Sequence, residues 1–534
     1  MAMRIIVSNV VVSAFIVAMV FISGFFSGGD GGLRRSFSDP EAELEKLPAA
    51  QLVGNGLPEA ELEKLPVAQL VGNGLRRPFS DPEAELEKLP VAQLDGDGLR
   101  RSFSDPEAEL EKLPVVQLAG AARKGGDEPR TAIPAEIASR FEPIARKRAS
   151  GELEIGLARA RAAVRRRVAS FSNKSEIVYS NHNISSSIYR NPSAFLQSYK
   201  EMERRLKVYI YEEGELPIVH DGPCKGIYSS EGRFIHEMEH GSHRFRTSRP
   251  EQAHLYFMPF SVAWMVRYLY TPDSHNITPL QEFVSDYVEL ISTKHPFWNR
   301  TQGADHFMLS CHDWGPRSSK ANARLYSTSI RVLCNANTSE GFNPQKDVSL
   351  PEIGLYGGHV DPKLRSPPRP TAPRPHLAFF AGRLHGPVRP VLLQHWKGRD
   401  PDLHVYEYLP KNLNYNDYML KSKFCLCPSG YEVASPRIVE AIYAECIPVI
   451  LSEHYVLPFS DVLRWEAFSI QVNVSEMARL KEILMGVSDD EVLRLKEGLR
   501  AIRKHFVLNQ PVKRFDMFHM ILHCVWLRRL NLRF

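Results

Sequence analysis

The sequence predicts an α/β protein whose globular part has two halves, each built on a parallel sheet. From about residue 204 onward, short apolar runs alternate with stretches of helical periodicity, which is typical of parallel strands covered by helices. A Pro-rich, charged segment at 366–376, "SPPRPTAPRPH", lacks apolar periodicity and divides the globular part into 204–365 and 376–534. Two such halves predict a cleft between them, which is a common place for a ligand.

Short apolar runs give the predicted strands, and amphipathic patterns give the helices between them. The strands are expected at 207–211, 254–259, 306–311, 376–382, 403–409, 423–428 and 448–451. Helical patterns lie between them, for example at 279–293 and 388–397.

The N-terminus carries an apolar segment that predicts a membrane anchor. After a short tail at 1–4, residues 5–26 contain no charge, and as a helix they would span about 33 Å, enough for a bilayer core. A cleaved signal peptide has a shorter apolar region of about 7–15 residues. We therefore expect an uncleaved signal anchor.

Asn-x-Ser/Thr sequences are more frequent than chance would give. They lie at Asn173, Asn183, Asn276, Asn299, Asn337 and Asn473. The excess indicates passage through the secretory lumen, although some of these sites need not be used. Together with the anchor, it predicts a single-pass type II membrane protein with a lumenal C-terminal body.

A low-complexity region at 27–139 contains an internal repeat of 24 residues. It begins at Leu33 with "LRRSFSDPEAELEKLPAAQLVGNG", and further copies, the first of them shortened, begin at Leu57, Leu75 and Leu99. Each unit has few large apolar residues and cannot bury a core, so we expect a disordered spacer rather than a solenoid. The "DGDG" at 95–98 varies the "GNG" of the other copies, and we do not interpret it as a metal site.

The region at 140–203 is predicted to be a partly helical stem. Residues 140–168 are rich in Arg and Ala and favour a helix. The arginines can form a solvated helix face, or they can contact a membrane surface or an acidic polymer. The first of these interpretations is the simpler one.

Charge and cysteine content argue against two classes of site. The net charge of +5 over 534 residues is too small for a nucleic-acid-binding protein, which would show a concentrated basic surface. The seven cysteines do not have the spacing of a zinc site. Cys425 and Cys427 alternate on a predicted strand, so they face opposite sides and should not pair with each other. We expect one or two disulfides and one cysteine left over.

The stretch "KFCLCPSGYEVASPRIVEAIYAECIPVIL" predicts a buried strand, a loop, a helix and a second strand. Ser435 is expected to cap the helix and Pro436 to occupy its first position. Arg437 then lies in the first turn, where the helix dipole disfavours a cation, unless a bound anion is shared with the helix terminus. Glu440 would lie on the same side, near the ribose of a nucleotide. The alternative is a surface Arg–Glu pair three residues apart.

A second anion site is predicted at "FFAGRLHGPVR". Gly382 and Gly386 let a backbone approach closely, and Arg383 and Arg389 bracket the turn between strand and helix. The alternative is a tight turn with two solvated arginines.

The sequence "SCHDWGP" is expected to end a strand in the first half with three functional side chains. His312 can act as a base oriented by Asp313, Asp313 can itself be the base, and Trp314 can stack on a sugar. The alternative is a structural His–Asp pair. Further candidates, which the sequence cannot rank, are Glu212, Glu213 and His254.

From about residue 204 to the C-terminus, the chain resembles the exostosin-like glycosyltransferases of family 47, especially the plant branch. The matching stretches are "KVYIYEEGELPIVHDGP", "DHFMLSCHDWGP", "LAFFAGRLHGPVRP", the strand–loop–helix stretch quoted above and "LPFSDVLRWEAFSI", in the order of the family. The 24-residue repeats do not belong to the family pattern.

This resemblance implies a GT-B architecture of two Rossmann-like domains facing across a cleft. It implies inverting transfer of a sugar from a nucleotide-sugar, expected to be a UDP-sugar, to a wall or matrix polysaccharide in the Golgi, without a metal or other cofactor. The C-terminal half would hold the nucleotide through Arg389, Arg383, Ser435, Arg437 and Glu440, with Glu440 on the ribose and Arg389 favoured over Arg383 for the diphosphate.

A different class of function fits the same resemblance. The chain can be a catalytically silent lumenal partner that scaffolds an active homologue in a homo- or hetero-complex. Binding of the donor nucleotide would distinguish the two hypotheses.

Overall fold

The computed structural model describes residues 135–170 and 186–532. The predicted tail, the anchor at 5–26, the repeats and two of the predicted glycosylation sites, Asn173 and Asn183, lie outside the described residues. Within the described part, no helix is both long enough and apolar enough to cross a bilayer.

Fifteen α-helices and ten strands are described in these ranges. The helices are α1 Ala135–Ser170, α2 Pro192–Arg205, α3 Ser229–His240, α4 Val262–Leu269, α5 Thr278–Lys294, α6 Pro296–Thr301, α7 Gly315–Ser318, α8 Ala323–Ser327, α9 Pro362–Arg365, α10 Val388–Trp396, α11 Tyr415–Lys421, α12 Arg437–Tyr443, α13 Leu480–Met485, α14 Asp489–Ile502 and α15 Met517–Asn531. The strands are β1 Val208–Ile210, β2 Leu255–Phe257, β3 His306–Ser310, β4 Ile330–Leu333, β5 Val348–Ser349, β6 His376–Ala381, β7 Leu403–Tyr406, β8 Ser422–Pro428, β9 Ile447–Leu451 and β10 Ile470–Gln471.

The strands form two parallel sheets, one in each predicted half. The first sheet has the order β1-β2-β3-β4-β5, and the second has the order β10-β9-β8-β6-β7. Each recorded strand pair is parallel. The chain between Arg365 and His376 joins the halves without a helix or strand, as its composition predicts. The α/β class and the division into two parallel-sheet halves are therefore confirmed.

The second sheet has a topological switch point. Its order reverses at β6, because β7 lies on one side of β6 and β8 lies on the other. In doubly wound sheets of this order, the crevice beyond the carboxyl ends of the two strands at the switch point is where ligands bind. The loops that follow β6 and β8 are therefore the first place to look for a site.

All seven predicted strands are present, but three further strands were missed. β5 and β10 have two residues each, too few to give a periodic pattern. β4 contains Arg331, a charge in an otherwise apolar run. Its guanidinium is fully buried, and Arg331 Nη2 lies 2.6 Å from Asp347 Oδ2. A buried charge is tolerated in a strand when it is paired in this way.

The predicted stem helix packs on the globular body rather than standing free in solvent. Leu157 and Ala160 of α1 are fully buried. Arg161 Nε and Nη2 each donate to a main-chain carbonyl at the C-terminus, those of Leu530 and Leu532, at 2.6 Å. The expectation of an entirely solvated arginine face is therefore wrong for Arg161.

The last helix, α15, ties the C-terminus back to the first half of the chain. Arg529 Nε donates to the His254 carbonyl at 2.9 Å, next to β2. Arg528 Nη2 donates to the Asp347 carbonyl at 2.8 Å, next to β5. Although α15 belongs to 376–534 by sequence, it completes the packing of the first sheet.

Two disulfides fasten the ends of neighbouring strands. Cys311 and Cys334 join the residues that follow β3 and β4, and Cys425 in β8 pairs with Cys446 just before β9. Cys425 and Cys427 do not pair, as predicted. Three cysteines remain unpaired, where the sequence suggested one: Cys224, Cys427 and Cys524.

Candidate functional site

The loops that follow β6 and β8 abut each other at the switch point. Gly386 has φ +65°, and a Cβ at this position would lie 1.7 Å from the Gly430 carbonyl oxygen. No side chain fits there, so glycine at 386 lets the two loops touch. This contact brings "GRLHGPVR" and "SGYEVASPR" into a single site.

Arg437 projects from the loop after β8 towards the end of β6. Its Nη2 donates to the Ala381 carbonyl at 3.1 Å, and its Nη1 donates to Ser435 Oγ at 3.2 Å. The guanidinium carbon also lies 4.9 Å from the centre of the Phe380 ring. Arg437 is therefore positioned by contacts from both strands of the switch point.

Glu440 is joined to Arg437 through Tyr415. Arg437 Nε donates to the Tyr415 hydroxyl at 3.1 Å, and that hydroxyl also interacts with the Glu440 carboxylate. Burial raises the pKa of Glu440, and the charge of Arg437 and the Tyr415 hydroxyl oppose this shift. Since both charged groups are partly buried and share a tyrosine, the hypothesis of a solvated surface pair is wrong.

Arg389 lies beside Arg437 with part of its hydrogen-bonding capacity unused. A Cβ at Gly430 would lie 3.0 Å from Arg389 Nη2, and Arg389 Nε is buried without a hydrogen-bond partner. Burial lowers the pKa of Arg389 to about 10, and the charge of Arg437 adds to this shift. Two guanidinium groups that repel each other, one with a free buried donor, indicate an anion site.

The Arg383 side chain is not part of the Arg389–Arg437 pair. Arg383 is exposed, and its guanidinium carbon lies 5.9 Å from the centre of the Tyr408 ring. Its carbonyl accepts a hydrogen bond from Arg389 Nη1 at 3.3 Å. The preference for Arg389 over Arg383 as a phosphate ligand stays a prediction, and this geometry supports it.

The predicted N-cap at Ser435 is wrong. Helix α12 begins at Arg437, and Pro436 occupies the N-cap position without a side-chain bond. The Ser435 hydroxyl accepts from Arg437 instead, so it orients the guanidinium. Because α12 has only seven residues, the arginines rather than the helix dipole make the anion site.

His312 does not have the environment of a general base. Its Nδ1 accepts a hydrogen bond from the Trp314 main-chain N–H at 3.1 Å, and burial lowers its pKa to about 3. The neutral ring then carries its hydrogen on Nε2, so neither nitrogen offers a free lone pair. This environment does not support His312 as the base, and that assignment stays a prediction.

Asp313 has the environment that a base requires. Burial raises the pKa of its carboxyl group to about 6, and the nearby Tyr228 hydroxyl opposes this shift. The predicted orientation of His312 by Asp313 is replaced by this contact with Tyr228. Trp314 is half-buried, and its ring packs edge-on against Tyr270 at 4.8 Å between centres. Its proposed contact with a sugar stays a prediction.

Two glutamates that the sequence analysis missed lie near Asp313. Glu352 follows β5 and is 6% exposed; burial and the charge of Asp313 raise its pKa well above the usual value. Glu432 follows β8, and burial together with Asp313 raises its pKa to about 8. Asn335 Nδ2 donates to Glu432 Oε2 at 2.6 Å, and this bond links the two halves. Glu432 stands in the quoted motif, but no local pattern singles it out.

Two of the other candidates from the first half, Glu213 and His254, have structural partners, whereas Glu212 is exposed. Glu213 Oε1 accepts from Lys294 Nζ at 2.8 Å and from His295 Nε2 at 2.6 Å. His254 Nδ1 accepts from the Lys207 main-chain N–H at 3.2 Å. Among the described residues, no group of three or more His, Cys, Asp or Glu side chains is placed to hold a metal ion.

The predicted glycosylation sites differ in accessibility. Asn276, Asn299 and Asn473 are exposed. Asn337 is 9% exposed, its Oδ1 accepts from the Ser339 N–H, and its Nδ2 donates to Glu340 Oε1 at 3.2 Å. This burial does not favour a glycan at Asn337, and the site stays a prediction.

The chain matches a known protein family. The model of the exostosin GT47 domain matches residues 202–487. This chain belongs to the exostosin GT47 family. As an exostosin GT47 protein it is a glycosyltransferase, and the resemblance predicted from the sequence is confirmed.

Relatives of this exostosin GT47 protein have matching names. A "Probable glycosyltransferase" of Arabidopsis thaliana is 63% identical over 71% of this chain and 79% of the relative. Another from the same plant is 49% identical over 72% of this chain and 82% of the relative. A "Probable glucuronosyltransferase" of Oryza sativa subsp. japonica is 29% identical over 60% of this chain and 77% of the relative.

Two solved structures show a distant likeness to the exostosin GT47 protein. TarM matches at 12% identity with a TM-score of 0.25, over 44% of this chain and 57% of that chain. MurG of Acinetobacter baumannii matches at 12% identity with a TM-score of 0.22, over 43% and 74%. Likenesses at this level carry no argument about function.

Proposed function

We propose that the protein is an inverting glycosyltransferase that moves a sugar from a UDP-sugar to a polysaccharide or glycan acceptor. The observation that carries the proposal is the pair of Arg389 and Arg437 at the switch point, with a buried Arg389 Nε that has no partner. A diphosphate supplies the negative charge and the acceptor oxygens that two adjacent guanidinium groups require. Nucleotide-sugars carry such a diphosphate.

The nucleoside would lie next to the arginine pair. Glu440 is fixed through Tyr415, and its carboxylate can accept hydrogen bonds from both ribose hydroxyls. A Cβ at Gly354, in the loop after β5, would lie 3.6 Å from Glu440 Oε1. The first half therefore borders this position, which supports binding of the donor between the halves in a GT-B arrangement.

The reaction would be a single displacement at the anomeric carbon. The acceptor oxygen forms the new bond to this carbon and gives its proton to the Asp313 carboxylate, while the bond to the diphosphate breaks. The departing electron pair stays on the diphosphate oxygen, where Arg389 and Arg437 neutralise it. With a pKa of about 6, Asp313 is charged at neutral pH and still basic enough to help.

Glu352 and Glu432 have a different role in this proposal. The pKa of about 8 keeps the Glu432 carboxyl group largely neutral at pH 7, and the raised pKa of Glu352 favours its neutral form. A neutral carboxyl group can donate a hydrogen bond to a sugar oxygen, and it adds no negative charge beside the departing UDP. The site then combines a charged base, Asp313, with a largely neutral carboxyl group at Glu432.

Features of the sequence support a cellular location for the reaction. An anchor at 5–26 and exposed sequons at Asn276, Asn299 and Asn473 support a type II protein of the Golgi membrane with a lumenal body. The acceptor would be a cell-wall or matrix polysaccharide. The arginine pair can neutralise the leaving diphosphate, so the proposal requires no metal or other cofactor.

A screen of the full chain against UDP-sugars tests the proposal. UDP-glucuronate belongs in the panel because of the names of the rice relatives, beside UDP-galactose, UDP-xylose and UDP-glucose. We expect one donor to support transfer to a wall oligosaccharide, with an inverted linkage. A chain that binds UDP but transfers no sugar would favour the silent-scaffold alternative, and one that does not bind UDP would overturn the donor site itself.

A further inference from the structure

Exposed apolar side chains gather on three loops beside the proposed donor site. Tyr408 is 65% exposed, Tyr431 is 66% exposed and Leu384 is 49% exposed. The loops that hold them follow β6, β7 and β8 of the second sheet. We call these three residues, with Arg383 and His385, the loop surface. Exposed tyrosines beside a polar site are typical of recognition surfaces.

The rings of the loop surface are held in place by their neighbours. The Tyr431 and His385 ring centres lie 5.2 Å apart. Tyr408 contacts the same turn, because the Arg383 guanidinium carbon lies 5.9 Å from the centre of the Tyr408 ring. The two tyrosines therefore flank one turn, and each has a planar neighbour that limits its movement while its outer part remains accessible.

The loop surface continues directly into the proposed site. Tyr431 stands between Gly430, which packs against Arg389, and Glu432, which is bonded to Asn335 of the first half. A molecule that lies on Tyr431 would therefore approach the place where the anomeric carbon of the donor is expected.

We propose that Tyr408, Tyr431 and Leu384 form a platform for the acceptor, and that the acceptor is a saccharide chain of several sugars. The inference rests on the proposed function, because it takes the arginine pair as the donor site. Sugar rings have faces of C–H groups that pack on aromatic rings, and hydroxyl groups that can bond the tyrosine hydroxyls and Arg383. Two exposed tyrosines on separate loops that contact one turn fit a chain better than a single sugar.

Alanine and phenylalanine variants of the two tyrosines distinguish the loss of this platform from a general effect on folding. In Tyr408→Ala and Tyr431→Ala the stacking surface is lost, whereas Tyr408→Phe and Tyr431→Phe keep it. The probes are fluorescently labelled xylan, xyloglucan and homogalacturonan oligosaccharides of two and six sugars, titrated into the full chain with saturating UDP.

We expect each alanine variant to bind its best hexasaccharide about tenfold more weakly than the wild type, with a smaller change for the disaccharide. The phenylalanine variants should bind within about threefold of the wild type. Unchanged hexasaccharide affinity in both alanine variants would overturn the platform, and so would a wild-type protein that binds none of the probes.

Two further measurements distinguish a failed donor site, a failed platform and a protein interface at the loop surface. UDP affinity is measured in the same samples: if the wild type binds no UDP, the donor site fails, whereas normal UDP binding with unchanged saccharide binding removes the platform alone. Sedimentation tests the other occupant, a protein chain. Self-association that is lost in the alanine variants, with saccharide binding intact, would assign the loop surface to a protein interface and overturn the inference.

Discussion

Arg389 and Arg437 gain from a bound anion in different ways. Arg437 already has three hydrogen-bond partners in Ala381, Ser435 and Tyr415, so its removal would also disturb the loop that it positions. Arg389 has a buried Nε without a partner. Its substitution therefore removes more of the proposed ligand contact and less of the structure.

Arg389→Ala should weaken the binding of UDP by about one to two orders of magnitude, since a charge-assisted hydrogen bond contributes roughly 1.5–3 kcal/mol. Uridine, which carries no phosphate, should bind almost as it does to the wild type. Calorimetric titration of both ligands checks this. Arg383→Ala is the matched control, an exposed arginine of the same turn that should leave UDP affinity unchanged. Equal loss for UDP and uridine would move the phosphate site elsewhere.

Asp313→Asn should reduce transfer by about two to four orders of magnitude while UDP still binds, because only the proton acceptor is lost. The raised pKa of about 6 predicts the pH dependence of the wild type. A base must be deprotonated, so kcat/KM should fall as the pH falls through about 6. A pH profile of kcat/KM for both proteins checks this. Transfer by the variant at the wild-type rate would rule out Asp313 as the base.

Residues of the donor site were easier to predict than residues of the acid–base cluster. Arg437 and Glu440 stand in one turn of a short segment, so a local pattern reveals them. Glu352 and Glu432 follow strands of different sheets and meet near Asp313 only after folding. The environment of His312 was also hidden, because its burial and its bond to the next loop residues depend on tertiary packing.

At the scale of elements, a single buried carboxylate orders the loop that presents Asp313. Glu231 of α3 is fully buried and accepts hydrogen bonds from the Cys311 N–H at 2.7 Å and the His312 N–H at 3.4 Å. It also accepts from the Ser261 hydroxyl and the Ala263 N–H, which begin α4. Glu231 therefore joins two elements to the end of β3 and is a positioning residue.

Glu231→Gln replaces one acceptor oxygen by an amide that faces main-chain N–H groups. It should cost about 1–3 kcal/mol of unfolding free energy and reduce kcat at a temperature where the protein is still folded. The donor affinity should stay near that of the wild type. Glu201→Gln is the control, a buried carboxylate that binds Arg205 on α2 at 2.8 Å. It should lower the melting temperature without lowering kcat. An equal kcat in both variants would leave Glu231 a purely structural role.

Strands were predicted correctly where the sequence has an apolar run that is long enough to be recognised as a strand. β3 and β9 are buried at every position and β8 at every position except Lys423, and all three strands are largely apolar. β4 was not predicted, because Arg331 interrupts its apolar pattern. The buried partner of Arg331, Asp347, is 16 residues further along the chain. Pairing at that distance leaves no periodic signal.

At the scale of the whole molecule, the ends of the described chain are brought together on the first half. α1 packs near the C-terminus through Arg161, and Arg529 of α15 contacts both Glu154 of α1 and the His254 carbonyl. Neither contact can be inferred from composition, since it depends on where the C-terminal helix crosses. The helix at 135–170 is in consequence part of the body, and the tether from any membrane anchor would begin before it.

Glycan occupancy tests the orientation of the whole chain. A lumenal body should carry glycans at Asn276, Asn299 and Asn473, which are exposed, and none at Asn337, which is 9% exposed. Endoglycosidase should therefore increase the mobility of the protein on a gel, and peptide mass spectrometry should find the glycans at the exposed positions. Gln substituted at those three asparagines together should remove any glycan between residues 186 and 532. A glycan at Asn337 would contradict the packing of its loop. A protein that carries no glycans, and whose C-terminal body is cleaved by protease added from the cytosolic side, would contradict the type II topology.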